Sequence, residues 1–137
     1  MTADLKTQEF KLNGRVVRMH LTEPLDMELF KACVAEFLAL FFFVVICCGG
    51  TMGTFAYETP NRMEVAASFS FGILAIVQFV GPLSGGHVNC AVTFALLIAG
   101  RVSALRAILY FIFQMMGSFC GALALLHIYG DHWTGPA

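Results

Sequence analysis

Charge is the scarcest property of this sequence: only 12% of its residues are Asp, Glu, Lys or Arg, against roughly 25% in an ordinary soluble domain. The shortage is patterned. None of these residues occurs at positions 37–57, 65–100 or 107–130, and about 20 apolar residues suffice to cross a bilayer core. Runs of that kind belong in lipid. A net charge of -1 without a clustered basic face excludes a sequence-independent grip on nucleic acid.

Other absences narrow the field further. Residues 1–30 contain no continuous apolar core of a cleavable signal peptide. They mix Lys6, Lys11, Arg15 and Arg18 with Asp4, Glu9, Glu23, Asp26 and Glu28, and read as a cytosolic tail whose residues 25–31 form an amphipathic lead-in helix at the interface. Cys33, Cys47, Cys48, Cys90 and Cys120 make neither a CxxC pair nor a Cys/His metal spacing, so they are expected to act as small buried hydrophobes. No nucleophile with a matched base and no phosphate loop occurs, so neither an enzyme nor a bound cofactor or metal is expected. No internal repeat is visible.

What is present is a sequence of apolar segments. A first span is expected over residues 31–50, ending at Gly49-Gly50 where a helix can stop. Turn formers and interface residues follow, among them Tyr57, Glu58, Pro60 and Asn61. The next charge-free run is too long for one crossing and too short for two. Gly81-Pro82-Leu83-Ser84-Gly85-Gly86 breaks it, which predicts a span over 63–80 and then a re-entrant loop and half-helix over 81–100. A third span over 104–128 leads into a polar tail at 129–137. The fold class is therefore all-α transmembrane: three spanning helices plus one re-entrant half-helix. This layout puts Lys6, Lys11, Arg15, Arg18, Lys31, Arg101 and Arg106 on one face and Arg62 on the other, so the positive-inside rule places the N-terminus in the cytosol and the C-terminus outside.

A half-helix aims its positive N-terminal end at the bilayer midplane, which makes an interrupted apolar segment a pointer to a solute path. Asn89 stands at that tip. Its amide can orient a passing water or hydroxyl, or it can serve as a plain helix cap; the two roles are compatible. Tyr110 and Gln114 share a face of the third span, and Gly117 and Gly121 form a small-xxx-small seam beside them. Gln78 is expected to face the interior.

The run Ser84-Gly85-Gly86-His87-Val88-Asn89-Cys90-Ala91-Val92-Thr93-Phe94 resembles the first Asn-Pro-Ala box of the aquaporin (major intrinsic protein) family, nearest to its plant plasma-membrane form. Ala35-Glu36-Phe37 in the first span and Arg106-Ala107, Tyr110, Gln114, Gly117 and Gly121 in the third fall in the family's order. The resemblance covers about residues 31–126. It implies half of an inverted-repeat bundle, in which two such boxes meet midway. The second box and the filter arginine after it have no counterpart here, so this half is not expected to conduct alone.

The resemblance also implies residue roles. Asn89, Cys90 and Ala91 would form the box, with Cys90 replacing the proline that starts the half-helix; its thiol is either a small filler or exposed beside the path. The carbonyls of Gly85, Gly86, His87 and Val88 would line the conduit, or the glycines merely allow close packing. Glu36 would anchor the loop by accepting backbone N–H bonds near His87, aided by Gln114, or would snorkel toward Lys31. Phe69 matches the aromatic of the outer constriction in water-selective relatives, or is one of fourteen phenylalanines and simply faces lipid. The implied partners are water or a small neutral solute, membrane lipid and, by analogy, three further subunits of a tetramer in a plasma membrane. A competing expectation is a non-conducting fragment that joins complete channels through Gly117 and Gly121.

Overall fold

The computed structural model describes residues 7–12, 15–52 and 61–130. Three helical stretches among them are long and apolar enough to cross a bilayer: Met27–Thr51, Arg62–Ser84 and Ala104–Tyr129, with mean hydropathies of 2.5, 1.8 and 1.8. A fourth, short helix lies between the last two. The all-α membrane architecture expected from the charge-free runs is the one observed.

Helix α1 (Met27–Phe42) starts where Asp26 Oδ1 accepts the Leu29 N–H at 2.9 Å. Because that cap sits five residues ahead of Lys31, the segment 25–31 does not form a separate lead-in helix; most of it is the first turn of the span. The β-branched run Val44-Val45-Ile46 is a poor helix former. It widens into a π turn over Phe43–Cys48, then tightens to a 3-10 turn over Gly49–Thr51. Ser68 supports the bulge by donating to the Ile46 carbonyl at 2.9 Å. Cys47 lies so near Gly72 that a Cβ there would stand 2.5 Å from its Sγ.

Helix α2 (Arg62–Ser84) opens on a reciprocal capping box. Asn61 Oδ1 accepts from Met63 and Glu64, both at 2.9 Å, and Glu64 returns a bond to the Asn61 N–H at 3.0 Å. The helix runs through Pro82 to Ser84 and not merely to 80 as the Gly-Pro pair suggested. A proline disfavours an α conformation in the preceding residue in part through that residue's Cβ, and Gly81 has none. The helix ends at Gly85, whose φ of 90° only glycine adopts freely.

Helix α3 (Cys90–Ile98) has 9 residues, about 14 Å at 1.5 Å per residue, less than half of a hydrocarbon core of roughly 30 Å. Helix α4 (Ala104–Tyr129) is capped by Ser103, whose Oγ accepts from Arg106 N at 3.0 Å. Helix α1 packs against both α2 and α4. Ala35 and Ala39 meet Ile76, Val80 and Val88 on one side, while Leu29, Ala32 and Cys33 meet Tyr110 on the other.

Gly117 and Gly121 are both buried against α1. A Cβ on Gly117 would overlap the Phe37 carbonyl, and one on Gly121 would come within 2.8 Å of the Phe41 oxygen. The seam thus faces a helix of the same chain and is not open for docking onto another one, as the fragment expectation required. By contrast, Phe71, Phe79, Phe111, Met115 and Phe119 are exposed, as suits side chains solvated by lipid.

One element was not anticipated. Strands β1 (Thr7–Leu12) and β2 (Arg15–His20) pair antiparallel in the N-terminal tail, in register from Thr7↔His20 to Leu12↔Arg15. Residues 1–6, most of the expected connection before Arg62, and the tail beyond Gly130 lie outside the described residues.

Candidate pore-lining loop and its anchor

Between α2 and α3 the chain reverses within five residues, and three of them take positive φ: Gly85 at 90°, Gly86 at 65° and Val88 at 47°. Glycine reaches that region without strain. Gly86 has a second need for its missing side chain, since a Cβ would meet Gly81 Cα at 3.3 Å. Val88 is a true outlier, because a β-branched residue there costs about 1–3 kcal/mol. Two things hold it: its side chain is buried among Ala35, Ala39, Ile76 and Val80, and its N–H is bonded to a carboxylate.

That carboxylate is Glu36. It is 0% exposed, and every oxygen site is used. Oε1 accepts the Ser84 hydroxyl at 2.6 Å and the His87 N–H at 2.9 Å; Oε2 accepts the Val88 N–H at 2.9 Å and Gln114 Nε2 at 2.7 Å. An ionised acid costs several kcal/mol in lipid without partners, and four donors supply them. The alternative in which Glu36 snorkels toward Lys31 is overturned: Lys31 pairs with Glu28 at 2.7 Å.

A second layer of bonds ties the loop to α4 and to the tail. The Tyr110 hydroxyl donates to the Ser84 carbonyl at 2.7 Å, Arg106 Nη1 donates to the Tyr110 oxygen at 3.2 Å, and Arg106 Nε pairs with Glu23 at 2.9 Å. A cavity of about 490 Å³ opens here, walled by Glu23, Ser84, His87, Arg101, Ser103 and Arg106. Sequence reasoning did not assign Ser84, Tyr110, Arg106 or Glu23 to this network. Spacing along the chain carries no signal for bonds that span 26 and 83 residues.

Asn89 caps α3 through its Oδ1, which accepts the Ala91 N–H at 2.7 Å. The amide NH2 has no partner among the described residues, and Asn89 is exposed. Among the described residues, none donates a hydrogen bond to the carbonyl oxygen of Gly85, Gly86, His87 or Val88. The half-helix therefore starts beneath a run of acceptors and one outward pair of donors. Thr93, one turn into α3 and also missed in the sequence, binds His87 Nδ1 at 2.9 Å and receives Gln114 Nε2 at 3.2 Å.

The remaining candidates fall elsewhere. Phe69 is 37% exposed and sits edge-on to Phe43, with ring centroids 5.8 Å apart; it is not among the groups gathered at the loop. Gln78 is exposed on α2 and does not face this chain's interior. Cys90 is half-buried with a free thiol, at the edge of an apolar groove of about 300 Å³ between α3 and α4 that Thr93, Phe94 and Phe111 also line. Cys33 and Cys47 are buried as expected; Cys48 and Cys120 are half-buried.

Residues 23–135 match the family model described as Major intrinsic protein. The chain is similar to Aquaporin-5 of Rattus norvegicus, 36% identical over 114 residues, which cover 83% of this chain and 40% of that protein. It is also similar to the lens fiber major intrinsic protein of Bos taurus, 39% identical over 98 residues, covering 72% and 37%. Against Aquaporin-2 of Rattus norvegicus the identity is 41% over 97 residues, covering 71% and 35%. The chain thus spans two-fifths or less of the length of these relatives.

Proposed function

The chain belongs to the major intrinsic protein family, and on that premise we propose that it supplies one half of a transmembrane water pore. The observation that carries this is the tip of α3. There the Asn89 NH2, like the four carbonyls directly before it without a hydrogen-bond partner among the described residues, stands at the positive end of a 9-residue half-helix. Unpaired backbone at membrane depth is stable only against protein or a watery cavity. A file of water supplies donors for the carbonyls and accepts from Asn89, while the helix end opposes cations and protons.

The protein is integral to the membrane. In this reading its tail is cytosolic, Arg101 and Arg106 face the same side, and Arg62 faces outward. In this reading the box Asn89-Cys90-Ala91 is a variant of the family's box, and a half-helix that begins at Cys90 supports it. Phe69 acts on the solute only in company with residues from a second half, since this chain does not bring it to the loop. Fourfold assembly and a plasma membrane follow from the resemblance, as does the plant-type form of the box.

Osmotic shrinkage of proteoliposomes tests the proposal. The 137-residue chain alone is expected to pass water no faster than protein-free vesicles. Joined after Ala137 to the complementary part of a conducting relative, it is expected to accelerate shrinkage, and Asn89→Asp, which replaces the donor NH2 with a charge, to suppress the gain. Fast flux through the chain alone would refute the half-pore reading, and an inert but folded chimera would refute the pore reading.

A further inference from the structure

We propose that Thr93 is a positioning residue: it fixes His87 as the Nδ1–H tautomer, so that Nε2 presents a lone pair to the cavity at the loop. Three hydrogen-bond contacts converge on one oxygen, Thr93 Oγ1. Glu36 Oε2 already accepts Gln114 Nε2 at 2.7 Å, and a carboxylate only accepts, which fixes the orientation of the Gln114 amide. The other Nε2 hydrogen is directed at Thr93 Oγ1, 3.2 Å away. Thr93 Oγ1 has one hydrogen of its own, and the Asn89 carbonyl lies 3.1 Å from it.

If that hydrogen goes to Asn89, the contact of 2.9 Å between Thr93 Oγ1 and His87 Nδ1 requires Nδ1 to be the donor. All three contacts of the hydroxyl are then bonds. In the opposite tautomer the hydroxyl must donate to Nδ1, and the bond to Asn89 is lost. The Nδ1–H form therefore holds one more hydrogen bond, a part-buried one. Nε2 has no hydrogen-bond partner among the described residues and is not a sealed, unsatisfied atom. His87 lines the cavity of about 490 Å³ beside Ser84 and Gly85.

The consequence is directional. A molecule arriving at the ring from this cavity meets an acceptor and must turn a hydrogen toward it. That this molecule is water in transit rests on the pore reading; the tautomer does not.

The test is long-range 1H–15N correlation spectroscopy of the full chain in nanodiscs, with 15N-labelled histidine and the His87 signals assigned by loss in His87→Gln. The wild type is expected to show the Nδ1–H pattern. Thr93→Val is expected to shift the tautomer ratio toward Nε2–H by about fivefold, the equivalent of one hydrogen bond of ~1 kcal/mol, and Thr93→Ser to restore the wild-type ratio. An Nε2–H signal in the wild type, or an unchanged ratio in a folded Thr93→Val, overturns the proposal. Should Thr93→Val fail to fold, the wild-type spectrum alone decides. Vesicle shrinkage reads the pore reading separately.

Discussion

Glu36 Oε2 and the N–H of Val88 meet at 2.9 Å across 52 positions of sequence, and that bond holds a β-branched residue at a φ of 47°. A charge buried in the first span thus stabilises an unfavourable backbone turn at the start of the half-helix. The turn in turn leaves the carbonyls before Asn89 without hydrogen-bond donors among the described residues.

Replacing Glu36 with Gln tests the anchor. A carboxamide has one accepting oxygen, and its NH2 faces donors on the other side, so the His87 or the Val88 N–H loses its acceptor. The expected loss is about 3 kcal/mol, because a hydrogen bond to a charged group is worth roughly 1.5–3 and an orphaned buried donor adds to that. Denaturant unfolding in detergent measures it. Unchanged stability would mean that the loop is held by packing alone.

Gly117→Ala probes the contact between α4 and α1. The added methyl overlaps the Phe37 carbonyl, and backbone cannot swing aside as a flexible side chain can. Overpacking should cost about 1–3 kcal/mol, with Gly121→Ala costing less because its nearest atom stands farther off. Thermal melting of both variants checks the order.

Val88→Gly sets strain against packing. Removing the positive-φ penalty gains about 1–3 kcal/mol, but it discards a buried side chain worth roughly 1.5–3 and adds about 0.5–1 of backbone entropy. Net destabilisation near 1 kcal/mol is expected from those values. A stabilised variant would show the turn to be more strained than its burial can offset.

Much of this arrangement is legible in the sequence. Charge-free runs locate the spans, and the glycines at 81, 85 and 86 announce an interruption, because few other residues allow a chain to turn back inside a membrane. Glu36 is legible as an anomaly: an acid past the first turns of an apolar helix needs partners. The limits are physical too. Gly81-Pro82 suggests a helix end, yet the missing Cβ of Gly81 lets α2 pass through the proline. The strand pair leaves no mark on the hydropathy pattern that locates the spans, although Asn13-Gly14 is the strongest short-range hairpin signal when it stands between strand-forming runs. Ser84, Thr93 and Tyr110 gain their roles only when α1, α2, α3 and α4 are brought together, which no local pattern encodes.

The most direct measurement of the central claim is the sidedness of Arg62 and Arg101, the residues that bracket α2, the loop and α3. In a background without the native cysteines, Arg62→Cys and Arg101→Cys are labelled with a membrane-impermeant maleimide on intact cells. If the chain crosses once and then dips and returns, Arg62→Cys reacts from outside and Arg101→Cys only after permeabilisation. Labelling of both from the same side would mean that residues 85–100 traverse the bilayer, and the re-entrant half-pore would be wrong.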